Sequence, residues 1–356
     1  MAQLFLPRGV FVSNGEIYFA DTFNHRVRKV LRNGQIVTIA GTGIRGYNGD
    51  GQLATDAQLF SPCSVVVSSS DQVYISDANG HRIRKIDQHG IISTIAGIGI
   101  QGYNGDDKLA IQAQLNRPYG LFVTEDEEIL IADGFNYRVR KIDRNGIITT
   151  IAGSGNYGFD GDGGLATSAK IWDPRSVFQY KNEIYIADSG NNRIRKIDNN
   201  GIISTIEGTE KNIYVDSVFV CNDEVYFTDS KSLVFKILQN GIIKTIAGIK
   251  SEEGFNGNDM LATQCKLNCP KGIFVDNDSQ VYIADTYNHC IRRIDQNGIM
   301  RNVIGTAGKE GYSGDVPFDF QKYPHIGPRK KQLIKPFPHA YHDLIVICVE
   351  TDSFDQ

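Results

Sequence analysis

Residues 73–97 read Val73-Tyr74-Ile75-Ser76-Asp77, then Asn79-Gly80-His81-Arg82-Ile83-Arg84-Lys85-Ile86-Asp87, then Gly90-Ile91-Ile92-Ser93-Thr94-Ile95-Ala96-Gly97. Nearly the same words recur along the chain. The aspartate closing the first phrase returns as Asp21, Asp77, Asp133, Asp188, Asp229 and Asp285, at intervals of 56, 56, 55, 41 and 56 residues. A fixed period of that length marks a repeat architecture. Each unit holds four short runs of Val, Ile, Tyr and Phe separated by Gly, Asn and Asp turns, as in Val65-Val66-Val67, Val73 to Ser76, Arg82 to Ile86 and Ile91 to Ile95. Four strands per unit and six units imply an all-β fold, a six-bladed β-propeller with four antiparallel strands per blade. Polar–apolar alternation is weak in Val73-Tyr74-Ile75-Ser76. That fits strands whose two faces both pack on neighbouring blades.

The blades are expected at about 2–41, 57–97, 113–153, 169–208, 213–248 and 265–308, within a propeller of residues 1–315. The chain opens in mid-phrase: Ala2-Gln3-Leu4 with Pro7 matches Ala57-Gln58-Leu59 with Pro62. The glycine-rich loop that precedes this phrase elsewhere, as in Gly41 to Gly51, is missing at the start. It recurs at 97–107, 153–163 and 248–259, and a stump survives at 308–315. Unit five departs from the pattern. Its loop is cut to 208–212, its proline is gone, and Ser232-Leu233-Val234-Phe235-Lys236 stands where other units have Arg-Ile-Arg-Lys. Residues 316–356 hold five of the ten prolines, with Lys330, Lys331 and Lys335, before an apolar run from Leu344 to Val349. This tail reads as a linker and one strand, paired with the propeller edge or belonging to a further domain.

A hydrophobic fraction of 41% and a charged fraction of 22% are ordinary for a globular protein. No apolar run approaches the roughly 18 residues of a membrane span. The start lacks the features of a signal peptide, so a cytoplasmic location without a membrane role is expected. A net charge of −4 provides no overall attraction to nucleic acid. The six cysteines recur at no repeat position and form no paired CxxC, so free thiols in a reducing compartment are expected.

The phrases Ile-Ala-Asp-x-x-Asn-x-Arg-Ile-Arg-Lys-Ile-Asp (186–198) and Gly-Ile-Ile-x-Thr-Ile-Ala-Gly resemble NHL repeats. The loop Gly-Tyr-Asn-Gly-Asp-Gly-x-Leu-Ala-Thr-x-Ala-Gln-Leu (46–59) is similar to the long-repeat NHL propellers of teneurins and many large multidomain proteins. The resemblance spans residues 2 to about 315. It implies a platform binding proteins, or RNA in some members, and it brings no shared catalytic set. Fold alone does not settle function.

Within the hairpins of units one to four the aspartate faces an arginine five residues on. The structural ion pairs expected are Asp21 with Arg26, Asp77 with Arg82, Asp133 with Arg138 and Asp188 with Arg193, with none in units five and six, where Leu233 and Cys290 replace the arginine. Such pairing occupies half of the repeated arginines, which leaves nucleic acid as the minor alternative among partners. The loops Asn48-Gly49-Asp50-Gly51 and Asp160-Gly161-Asp162-Gly163 alternate oxygen donors as calcium loops do. No glutamate closes them at the twelfth position, and Asx turns account for the pattern. The loop aromatics Tyr47, Tyr103, Phe159, Phe255 and Tyr312 are expected to pin each loop to its blade. His25, His81 and His289 share one repeat position, which spreads them around the ring and argues against a zinc site. Neither a metal nor another cofactor is expected.

Six-bladed amidating lyases and lactonases place metal ligands or an acid–base pair near the axis. Here the innermost strands read Val10-Phe11-Val12, Val65-Val66-Val67, Leu121-Phe122-Val123, Val177-Phe178, Val218-Phe219-Val220 and Ile273-Phe274-Val275, with no His, Asp or Glu. A non-catalytic interaction platform is therefore expected, with such a hydrolase or lyase, or an RNA-binding domain, as alternatives. The residue after the repeat proline varies freely: Arg8, Cys63, Tyr119, Arg175, Asp216 and Lys271. Its neighbours are nearly constant, so this ring is where individual chemistry can reside. The expected partner is a protein or acidic peptide, bound on the loop face at Arg8, Tyr119, Arg175 and Lys271 with the hairpin tips Phe23, Phe135 and Tyr287.

Overall fold

The computed structural model describes residues 2–209, 213–313 and 315, so the tail beyond 315 lies outside the described residues. The architecture is a six-bladed propeller of antiparallel blades. Blade one is Val10–Ser13, Glu16–Asp21, Arg26–Val30 and Ile36–Ala40; blade two is Pro62–Val67, Val73–Asp77, Arg82–Ile86 and Ile92–Ala96. Blade three is Pro118–Val123, Ile129–Asp133, Arg138–Ile142 and Ile147–Ala152; blade four is Pro174–Tyr180, Glu183–Asp188, Arg193–Ile197 and Ile203–Thr205. Blade five is Val215–Cys221, Glu224–Asp229, Leu233–Ile237 and Ile243–Ala247; blade six is Pro270–Val275, Val281–Asp285, Cys290–Ile294 and Ile299–Ile304. In every blade the strands pair in chain order, from the innermost outward.

The core is not one mass but a set of clusters between blades. Ile39 and Val27 of blade one pack with Val65 and Ile75 of blade two, and Tyr282 and Ile291 of blade six pack with Val10 and Phe19 of blade one. Burying a Val or Ile side chain contributes about 1.5–3 kcal/mol, so each junction is held by both blades' β-branched faces. This is why the strands carry little alternation. At the innermost layer the backbones nearly touch: a Cβ on Gly272 would collide with the Arg8 carbonyl, so only glycine fits where blade six meets blade one.

The stump at 308–315 turns out to be the missing first loop. Gly311 N–H donates to Leu4 O at 3.1 Å, as Gly46 N–H donates to Leu59 O at 3.2 Å in the next blade. The side chain of Asn24 reaches Gly311 O at 2.6 Å, and Asp315 bridges to Ile36. The ring is thus closed by the N-terminal segment and residues 308–315, which complete one repeat between them.

The long loops also cover strand edges. Lys108–Leu109 pairs with the outer strand of blade three and Met260–Leu261 with that of blade six; Leu53 bridges to Ile91 and Leu165 to Ile202. Unpaired outer edges invite aggregation, and these loops seal them. Among the described residues, blade five has no such cover.

Candidate functional site

The expected ion pairs form with a different arginine. Asp21 and Arg26 are register partners, yet the carboxylate of Asp21 meets Arg28, two residues further, at 3.1 Å. The same diagonal contact joins Asp133 to Arg140 at 3.6 Å, Asp188 to Arg195 at 3.4 Å and Asp285 to Arg292 at 3.6 Å. Blade six therefore keeps a pair, whereas Asp77 of blade two has none within 4.0 Å of Arg82 or Arg84. Diagonal neighbours on one face of a hairpin are within reach of long side chains.

Arg26, Arg82, Arg138 and Arg193 are turned elsewhere. Their guanidinium carbons lie 3.8, 3.8, 3.8 and 3.9 Å from the ring centres of Tyr312, Tyr47, Tyr103 and Phe159. They also donate to backbone carbonyls, as Arg26 does to Thr42 O at 2.6 Å. The loop aromatics thus pin each loop onto an arginine of the blade. The inner arginines Arg28, Arg84, Arg140, Arg195 and Arg292 are fully buried. Each reaches a loop side chain: Asp315, Asp50, Asp106, Asp162 and Asn258 in turn. The oxygens of the Asn-Gly-Asp-Gly loops therefore face N–H donors. Asn48 Oδ1 accepts from Gln58 N–H at 2.8 Å, and Asp160 Oδ1 from Lys170 N–H at 2.7 Å.

Burial pushes the hairpin carboxyls upward, to about 6 in Asp21, Asp133, Asp188 and Asp285 and to about 7 in Asp77. Asp77 stands out for a visible reason. Where other blades place Asn24, Asn136, Asn191 or Asn288, blade two has Gly80, and Asp77 Oδ2 is left buried without a partner among the described residues.

His25, His81 and His289 sit at left-handed backbone positions with φ of 52°, 52° and 55°. Each accepts on Nδ1 a backbone N–H from the next blade: Ser61 at 3.2 Å, Arg117 at 3.2 Å and Leu6 at 3.3 Å. They are inter-blade pins at separate junctions.

The freely varying ring converges on the axis. Arg8, Cys63, Tyr119, Arg175, Asp216 and Lys271 line one cavity of about 100 Å³. Asp216 Oδ2 accepts from Arg175 at 3.0 Å and from Lys271 at 2.8 Å, and Arg8 donates to Cys63 Sγ at 3.4 Å. Burial alone would raise the Asp216 carboxyl, but Lys271 and Arg175 hold it below the ordinary carboxylate range. Burial pushes the Cys63 thiol up despite Arg8 beside it. Asp173, which sequence reasoning missed, binds Arg175 at 2.9 Å. Its position before the repeat proline was the available signal. Three cations therefore face two acids, and Arg8 Nε and Asp173 Oδ1 are buried without protein partners among the described residues.

Deeper in the channel, Phe11, Phe274, Phe219, Phe178 and Phe122 pack in edge-to-face or tilted pairs with ring centres 4.4–4.9 Å apart. They turn the channel into an apolar throat below a polar mouth. On the rim, Phe23, Phe135 and Tyr287 are 43%, 40% and 50% exposed, as is Trp172 at 44%. Phe135 packs edge-on against Tyr119 at 6.2 Å and so joins the axial ring, whereas Phe23 packs tilted against Phe5 at 5.3 Å, outside that ring.

The repeat geometry agrees with comparison to known proteins. The model of the teneurin NHL domain matches residues 43–104 and 249–315. The chain is an NHL-repeat β-propeller. It is 30% identical over 290 residues to protein SUPPRESSOR OF QUENCHING 1, chloroplastic, of Arabidopsis thaliana, covering 73% of this chain and 27% of that protein. It is 25% identical over 349 residues to human NHL repeat-containing protein 2 (89% of this chain, 42% of the relative) and 27% identical over 312 residues to Teneurin-m of Drosophila melanogaster (79% and 10%). This NHL propeller therefore spans less than half the length of those relatives. In fold it is similar to a gluconolactonase of Xanthomonas campestris (TM-score 0.57, 12% identity, covering 84% of this chain and 87% of that one). It is likewise similar to virginiamycin B lyase of Staphylococcus aureus (TM-score 0.51, 17% identity, 83% of each chain). At these identities the likeness concerns fold alone. No helix among the described residues is long and apolar enough to cross a membrane.

Proposed function

We propose that this NHL propeller is a non-catalytic platform that binds an acidic peptide segment of a partner protein across its loop face. The observation that carries this reading is the axial mouth: six side chains that break the repeat converge on one cavity, with the exposed Phe135 packed against its Tyr119. An acidic side chain entering the mouth meets the cationic excess of Arg8, Arg175 and Lys271, while Phe23, Phe135, Tyr287 and Trp172 offer amphipathic area to its neighbours. Asp216 is held ionised between two cations, and the Cys63 thiol is kept neutral by burial, which equips neither for proton transfer or attack at neutral pH. The arginines that resemble a nucleic-acid signature are buried or stacked on loop rings, which disfavours RNA. The free thiols of Cys63, Cys221, Cys265, Cys269 and Cys290 suit a reducing setting, and a cytoplasmic location is part of the proposal.

The test is selection from a phage-displayed random peptide library on the intact chain, then binding of the selected peptides to Arg8→Gln and Tyr119→Ala variants. Selected peptides rich in Asp or Glu that bind each variant about tenfold more weakly, at unchanged melting temperature, support the proposal. Peptides without acidic enrichment, or with full affinity for both variants, overturn it.

A further inference from the structure

Blade five presents a strand edge that every other blade covers. In blade two the outer-strand residue Ile92 donates its N–H to Gln52 O at 3.0 Å and accepts from Gly51 N–H at 2.9 Å. In blade four Ile203 does the same with Gly164 and Gly163, and in blades three and six Ile148 O and Met300 O accept from Asp107 and Asp259. The matching residue of blade five is Ile243, whose outward N–H and C=O meet no backbone group among the described residues. Its side chain is half-buried, whereas Ile36, Ile92, Ile148, Ile203 and Met300 are buried. Beside it Ile242 is 57% exposed. Gly208 lies beside the Ile243 side chain, where an added Cβ would meet its Cδ1, and among the described residues its N–H donates to no backbone group of the strand.

The covered blades show what such an edge takes. Each loop lays down an extended aliphatic residue followed by alanine: Leu53-Ala54, Leu109-Ala110, Leu165-Ala166 and Leu261-Ala262. The alanine N–H donates to the turn glycine of the blade, as Ala54 does to Gly90 O and Ala262 to Gly298 O, both at 2.8 Å. Gly241 is the counterpart glycine in blade five, with no such donor among the described residues. The other loops also bring a polar side chain to a buried arginine. Blade five has Phe235 there, stacked on Phe227 at 5.1 Å, so a carboxylate has nothing to meet.

We propose that the outer edge of blade five is a second, separate docking site, which takes an extended uncharged segment of a partner protein carrying an aliphatic–alanine pair. The segment adds as a strand against Ile242–Ile243, its backbone supplying the pairing and the aliphatic–alanine pair setting its register. This site lies on the outer rim and does not depend on the axial mouth.

The experiment is amide hydrogen exchange of the full chain with a synthetic peptide of residues 256–264, the cover of blade six, carrying Asp259→Asn so that it is uncharged (Asn-Gly-Asn-Asn-Met-Leu-Ala-Thr-Gln). Exchange within residues 241–247 is expected to slow about tenfold at saturation, and Ile243→Pro, which removes the central donor, is expected to abolish the effect. A peptide with its leucine changed to aspartate is expected to be inert. An unchanged rate at millimolar peptide overturns the proposal. So does protection already present that disappears on deleting residues 316–356, which means the chain's own tail occupies the edge. Protection that disappears on dilution also overturns it, since two copies then pair through this edge.

Discussion

The buried guanidinium of Arg28 meets the carboxylate of Asp315 at 2.5 Å, across 287 positions of sequence, and the propeller ring closes there. The same arginine holds Asp21, so one side chain ties the first hairpin to the last loop. Removing one partner of a buried charge pair costs far more than an exposed pair is worth. Asp315→Ala is expected to destabilise the chain by about 2–3 kcal/mol, less than the full penalty because Asp21 remains. Urea denaturation with an unchanged m-value checks this; a midpoint equal to wild type means the ring is closed by other contacts.

Blade two lacks the asparagine that steadies the hairpin carboxylate in four other blades. Gly80→Asn supplies a donor to Asp77 Oδ2 once that carboxylate turns aside to admit the new Cβ. Satisfying a buried carboxylate and removing a flexible glycine are expected to stabilise by about 1–2 kcal/mol, measured as a rise in melting temperature. A fall in melting temperature means the carboxylate cannot move.

Acid should loosen the junctions pinned by histidine. Burial, with Arg45 and Arg26 beside His25 and Arg117 and Arg82 beside His81, holds those rings below their ordinary value; burial does so for His289 against the pull of Glu310. The unfolded chain then binds more protons as pH falls through about 6.5, so these pins contribute fully above that pH and are lost below it. The raised hairpin carboxyls act with the opposite sign, since the folded chain takes up more protons between about 4 and 7. A triple His25→Asn, His81→Asn, His289→Asn variant, which copies the Asn192 of blade four, leaves those carboxyls in place. Its stability is expected to fall less than that of wild type between pH 6.5 and 5; parallel pH profiles would contradict the pinning role.

Softness should concentrate in blade five, which has a shortened loop and, among the described residues, lacks the buried arginine and the edge cover. Hydrogen exchange without ligand is expected to be fastest within residues 203–209 and 213–247. Uniform protection around the ring would remove the idea.

The architecture was legible because six aspartates keep their spacing, and the axial ring because it breaks a constant phrase. The hairpin partner was not. Arg26 and Arg28 lie on the same face of one strand, and the closer stacking of Tyr312 on Arg26, with the bonds of Arg26 to Asn24 O and Thr42 O, leaves Arg28 for Asp21. The ring closure was half visible: Gly311, Tyr312 and Asp315 keep the spacing of Gly46, Tyr47 and Asp50, but nothing in a linear reading joins residue 315 to residue 28. Asp173 was hidden by repeat arithmetic, because its counterparts Ser61, Arg117 and Cys269 have no common chemistry.

The central claim is that partners bind across the loop face, and the chain's only tryptophan stands there. Trp172 is 44% exposed, 6.0 Å from Tyr157 and next to Asp173 of the axial mouth. The most direct measurement is its fluorescence during titration with a selected acidic peptide, with affinity determined in parallel by calorimetry. The account predicts a saturable emission change with the calorimetric midpoint, weakened about tenfold in Arg8→Gln. Calorimetric binding that leaves Trp172 emission unchanged and is indifferent to Arg8→Gln would place the partner elsewhere and contradict it.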